Sequence, residues 1–202
     1  MKRCISVLLA MILLILACGC GGQQAQSAAA PSASGGAPVE ATLSASAGGA
    51  ESREGKKVYF AGPLFNQGEK DFNLRMAMTL EEFGYEVFLP QRDGIEAALL
   101  EGKTEEELTE MIFAKDLGEL LKADIIFMNL DGRAPDEGAC VELGIGYANG
   151  KRCYGFKTDT RAVEMNLEVN PMITGCMIKL FKNYDGNALI EELKEYLANN
   201  EL

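Results

Sequence analysis

One glutamate sits where a charge is not expected. Between Glu137 and Lys151 the chain reads Gly-Ala-Cys-Val-Glu-Leu-Gly-Ile-Gly-Tyr-Ala-Asn-Gly, and Glu142 is the only charge in that run. The surrounding small and apolar residues predict a helix buried on all sides. A buried carboxylate is costly unless it is paired or used. Used, Glu142 is a nucleophile in the first turns of a helix, where the helix dipole favours its ionised form. Unused, it is a structural acid hydrogen-bonded to a loop backbone. The 202 residues contain no histidine. That removes Ser-His-Asp and Cys-His mechanisms and most zinc sites. Acid-base chemistry falls to Asp, Glu, Tyr, Cys or Lys.

A second carboxylate also breaks its pattern. Leu108, Ile112 and Leu120 recur at every fourth position of a predicted helix, and Asp116 occupies the missing place in that apolar line. The other acids of the helix (Glu105, Glu106, Glu107, Glu110 and Glu119) read as solvated. Asp136 opens the Glu142 helix, where an N-cap role is as good a reading as a catalytic one. Asp124 opens a strand and is expected to cap backbone. Tyr59 faces either the core or the site. Gln91-Arg92-Asp93-Gly94 has the composition of a turn.

The elements that must hold these residues follow from periodicity. Strands are predicted at 57–62, 85–89, 123–130 and 152–157, with a fifth at 176–180. Helices are predicted at 69–83, 104–121, 137–149 and 187–198. Thr104 with Glu107 forms a capping box, and Gly84 closes the first helix. Strands alternating with helices imply an α/β, doubly wound sandwich of the flavodoxin-like kind, with a five-stranded, mostly parallel sheet. Ligands in such folds bind outside the carboxyl ends of the strands. The loops to inspect are therefore 62–66, 90–94, 131–137 and 158–161.

Residues 1–17 are a separate matter. Lys2 and Arg3 precede an apolar run from Ile5 to Ala17, too short for a stable membrane span. Ile15-Leu16-Ala17-Cys18 resembles the bacterial lipoprotein cleavage box, which implies lipidation at Cys18 and an extracytoplasmic, membrane-tethered protein. Residues 18–55 are rich in Gly, Ala, Ser, Gln and Pro and read as a flexible tether. The folded domain is expected at 56–202. Its cysteines, Cys140, Cys153 and Cys176, match no metal spacing and read as small core residues. Outside the cytoplasm one disulfide could form among them. A net charge of −11 argues against nucleic acid or an anionic membrane surface as partner.

Taken together, these residues resemble the nucleoside 2-deoxyribosyltransferase family. The resemblance runs from Val58 to about Gly175. It rests on Val58-Tyr59-Phe60-Ala61-Gly62-Pro63-Leu64-Phe65, Leu89-Pro90-Gln91-Arg92-Asp93-Gly94, Asp116-Leu117, Ala123-Asp124-Ile125, Gly138-x-x-x-Glu142-Leu143-Gly144, Lys157-Thr158-Asp159-Thr160-Arg161 and Asn170-Pro171-Met172-Ile173, in that order. The resemblance implies that Glu142 is the nucleophile and that Tyr59 orients it. Asp116 would lie near base and sugar, and Asp136 would contact and protonate the base. Gln91 would contact the base, and Asn170 would reach into a neighbouring subunit's site to hold the sugar. Gly62, Arg92, Asp93 and Gly138 lie in the same motifs and are expected to border the substrate. The implied partners are a 2′-deoxynucleoside, a free nucleobase and further copies of the chain in a homo-oligomer. No metal or cofactor is required. The rival readings are a deoxynucleoside or deoxynucleoside-monophosphate N-glycosidase, with Arg92 and Arg161 as phosphate contacts, and a nucleoside-binding lipoprotein.

Overall fold

The computed structural model describes residues 53, 55–159, 161 and 168–202. The export segment with Cys18, and the tether except residues 53 and 55, lie outside the described residues. The domain alternates strand and helix. It runs β1 (Lys57–Ala61), α1 (Gln67–Glu82), β2 (Glu86–Phe88), α2 (Pro90–Asp93), α3 (Ala97–Leu100), α4 (Glu105–Lys122), β3 (Ile125–Asn129), α5 (Glu137–Ala148), β4 (Arg152–Lys157), α6 (Pro171–Thr174), β5 (Lys179–Lys182) and α7 (Gly186–Asn199). The sheet order is β2-β1-β3-β4-β5. Every pairing is parallel, so the expected doubly wound fold is observed with an all-parallel sheet.

Side-chain alternation along the strands divides the core in two. Val58, Phe60, Ile125, Phe127, Tyr154, Phe156 and Phe181 point to the face covered by α1 and α7. Tyr59, Ala61, Ile126, Met128 and Cys153 point to the face covered by α4 and α5. Both faces are apolar because both are covered. The parity of Tyr59 puts it under the helices that carry Asp116 and Glu142.

Local signals explain the helix starts. Thr104 Oγ1 accepts from the Glu107 N–H at 3.2 Å, and Glu107 Oε2 accepts from the Thr104 N–H at 2.9 Å. Asn66 and Glu69 form a second capping box at α1, which starts that helix two residues earlier than expected. Asp124 caps backbone as expected, its Oδ2 accepting from the Lys57 N–H at 3.0 Å.

Two expectations are corrected. The 90–94 segment is a helical turn, Pro90–Asp93, with proline at its first position. The fifth strand is Lys179–Lys182 rather than 176–180. Cys176 and Met177 pack against the α4/α5-side core before pairing with β4 begins, so the apolar run starts ahead of the strand.

Candidate active site

Glycine brings α5 close to the sheet. A methyl group on Gly146 would run into the side chain of Ile126 on β3, so the helix can lie this near only with hydrogen there. Ala139 and Leu143 bury on the same side. Glu142 is one turn before Gly146, and the close approach lets its carboxylate reach the strand beneath. Tyr59 Oη donates to Glu142 Oε1 at 2.6 Å, a charge-assisted distance. The Tyr59 ring is fully buried, so its hydroxyl has its direction set by packing. The bond uses one carboxylate oxygen and leaves Oε2 for other chemistry.

Gly144 stands on the outer side of α5 with nothing near it. This yields a paired prediction. Gly146→Ala should lower stability by about 1–3 kcal/mol through overpacking and should reduce activity by lifting Glu142. Gly144→Ala should change stability by no more than about 1 kcal/mol, in the stabilising direction. Urea denaturation of both variants checks this, and equal effects at the two positions would contradict the close-packing account.

Glu142, Gly138, Val141 and Ile145 on α5 face Leu108, Ile112, Asp116 and Leu120 on α4 across a cleft of about 530 Å³. The line of fourth residues on α4 therefore does run along one wall, with Asp116 among apolar neighbours. Burial pushes the Glu142 carboxyl up to about 7, and the charges of Asp116 and Asp136 add to this, while the Tyr59 hydrogen bond opposes it. Burial also raises Asp116, with Lys115 opposing. The Tyr59 hydroxyl is held well above its ordinary range by burial and by Glu142, so it remains a donor.

The expectation that α5 is buried all round is corrected. Val141 and Tyr147 are about 60% and 56% exposed, respectively. The stripe through Ala139, Leu143 and Gly146 is buried, while Val141 and Ile145 line the cleft opposite Ile112 and Phe113, which are also exposed.

The remaining expected site residues fall at five places along the chain. Asp136 is the N-cap of α5, its Oδ2 accepting from the Ala139 N–H at 2.8 Å, and its charge reaches Glu142. Gly62 directly follows β1, where a side chain would lie 2.7 Å from Asn129 Cβ. Gln91, Arg92 and Asp93 are tied into the protein. Gln91 donates to Lys70 O at 2.7 Å and accepts from Asn73 at 3.3 Å. Arg92 binds Glu81, Val87 O and Asp93. Asp93 also accepts from the Leu89 N–H at 2.8 Å. Asn170 is exposed and caps α6, its Oδ1 accepting from the Met172 N–H at 2.9 Å. Arg161 pairs with Asp159.

Sequence reasoning missed the polar scaffold at the strand ends. Asn73 on α1 donates to Pro63 O at 2.8 Å, and Asn129 at the end of β3 donates to Asn73 Oδ1 at 2.8 Å. Asn129 Oδ1 accepts from the Asp131 N–H at 2.8 Å. Asp131 in turn accepts from Thr158 and from the Asp159 N–H. With the bond from Asn73 to Gln91, they tie together the loops after β1, β2, β3 and β4. Asn73 and Asn129 are buried among apolar neighbours, which is the one signal that could have found them. Among the described residues no group of His, Cys, Asp or Glu is arranged to hold a metal ion.

Comparison with known proteins shows the family and the fold. The family described as nucleoside 2-deoxyribosyltransferase matches residues 58–200. Among solved structures, a 2-deoxyribosyltransferase from Bacillus psychrosaccharolyticus is 26% identical, with a TM-score of 0.56, over 69% of this chain and 91% of that one. A conserved protein from Enterococcus faecalis V583 is 24% identical, with a TM-score of 0.55, over 69% and 98% of the two chains. A CMP N-glycosidase from Clostridium botulinum is 16% identical, with a TM-score of 0.48, over 70% and 99%. No curated protein sequence matches the chain.

Proposed function

The chain belongs to the nucleoside 2-deoxyribosyltransferase family, and from that premise we propose that it moves the deoxyribosyl group of a 2′-deoxynucleoside to another nucleobase through an ester on Glu142. The observation that carries this reading is the 2.6 Å bond from buried Tyr59 to Glu142, whose carboxylate lines a cleft together with Asp116.

The chemistry follows from the charges. Cleaving the C1′–N bond develops positive charge on the sugar, and a carboxylate on the opposite face can trap it. Glu142 Oε2 attacks C1′ while Oε1 stays bonded to Tyr59. The base departs with the bonding electron pair and takes a proton from Asp116 or Asp136. Burial lets Asp116 hold its proton to higher pH than a solvated aspartate would, which suits it to donate. A second base then attacks C1′ from the vacated side, returns its proton to the same acid and releases Glu142 as carboxylate. Both displacements invert, so configuration at C1′ is retained.

The test is base exchange. Deoxyinosine incubated with free adenine should yield deoxyadenosine and hypoxanthine. Release of free deoxyribose at the same rate with or without adenine, and no new nucleoside, would make the protein an N-glycosidase that uses water.

A further inference from the structure

Glu142 is aimed by Tyr59, which raises the question of what aims Tyr59. The tyrosine lies on β1, whose outer neighbour β2 is the sheet's edge and only three residues long. Phe88, the last residue of β2, pairs directly with Tyr59 in the parallel register. Their rings stack at 5.5 Å between centroids and 22° between planes, an offset geometry that aromatic pairs favour. On Phe88 lies the Lys115 ammonium, 5.2 Å from the ring centroid, within cation–π range. Glu119 holds that ammonium with an ion pair at 3.2 Å. Four side chains from β2, β1, α4 and α5 thus form one row: Lys115, Phe88, Tyr59, Glu142. Among the described residues no strand lies beyond β2 to confine the tyrosine ring from that side.

We infer that Phe88, held by Lys115, is a positioning residue that keeps the Tyr59 hydroxyl trained on Glu142. The inference rests on the reading of Glu142 as nucleophile. Phe88 does not line the cleft, so it acts through Tyr59. The groups that bear electrically on the Glu142 carboxyl are Tyr59 on β1, Asp116 on α4 and Asp136 at the start of α5, with Lys115 acting on Asp116. Of these, only the Tyr59 bond favours the carboxylate. Loosening Tyr59 therefore moves the Glu142 titration to higher pH.

The experiment is a ¹³C NMR titration of the Glu142 carboxyl without substrate, identified by its loss in Glu142→Gln, alongside exchange kinetics. Phe88→Leu should raise the Glu142 midpoint by about half a pH unit or more and lower kcat about tenfold, with KM within about twofold. Phe88→Tyr keeps the ring and should restore both. In Tyr59→Phe, adding Phe88→Leu should give no further shift, because the bond it supports is gone. Phe88→Ile serves in place of the leucine variant if that does not fold. An unmoved midpoint in the folded apolar variant, or a shift that adds to that of Tyr59→Phe, would overturn the inference. If wild type shows no exchange but the midpoint still moves, the glycosyl-transfer reading fails and the positioning role stands.

Discussion

Glu142→Ala is expected to lower base exchange by at least about 10³-fold, because in the proposed mechanism Glu142 forms the covalent intermediate. The cleft and the acids Asp116 and Asp136 persist in this variant, so substrate binding should survive better than turnover. Glu142→Gln should be equally inactive, while keeping an acceptor for Tyr59. Its stability carries a second, independent signature. The folded-state value of about 7 for Glu142 lies above the ordinary carboxylate range. The folded state therefore holds this proton longer than the unfolded chain does. The associated stability is fully present below the unfolded value and is lost as pH rises through about 7. At pH 8, Glu142→Gln should thus be more stable than wild type by about 1–3 kcal/mol. Near pH 4 that difference should vanish. A glutamate retained for structure would show the opposite sign, with loss of stability on substitution. Denaturant midpoints at the two pH values, read beside exchange rates, decide between them.

Tyr59→Phe has the next largest expected effect. It deletes one hydroxyl from a packed ring and leaves the stack on Phe88 in place. The bond it removes is a buried, charge-assisted one, worth about 1.5–3 kcal/mol, or about 10–100-fold in rate if made in full at the transition state. In wild type, activity should rise with pH through about 7 as Glu142 ionises. Without the tyrosine, burial and the charges of Asp116 and Asp136 act unopposed, so the acidic limb of the kcat profile should move to higher pH. The deficit is then largest at low pH and shrinks in alkali. A uniform loss at every pH, with the limb unmoved, would mean that Tyr59 supports packing rather than the charge state of Glu142.

The sequence made the outline of the domain legible because the signals are local. Alternating apolar strands and capped helices need no long-range information, and Thr104 with Glu107 announces α4 within four residues. Glu142 and Asp116 were legible for a related reason: each is a charge in a place the local pattern reserves for an apolar residue. The side on which Tyr59 lies was not legible. β1 is buried on both faces, so its composition carries no parity, and only the partner from α5 distinguishes them. The outer face of α5 misled for the complementary reason. Apolar side chains around a cleft look the same in sequence as apolar side chains in a core. The Asn73–Asn129 scaffold was invisible because the partners are 56 residues apart and each is an ordinary residue in its own segment. Gln91, Arg92 and Asp93 were read as a turn facing the substrate. In the structure their polar atoms bind α1, β2 and one another, so their contribution to the site passes through the loops they hold.

The central claim is that Glu142 becomes covalently bonded to the sugar. Intact-protein and peptide mass spectrometry after rapid acid quench, with a 2′-deoxynucleoside and no acceptor base, tests it most directly. The account predicts one added deoxyribosyl group, located on the peptide containing Glu142, present at neutral pH, discharged by adding a free base and absent in Glu142→Gln. An enzyme that exchanges bases normally while carrying no adduct, or carrying it on another residue, would contradict the account.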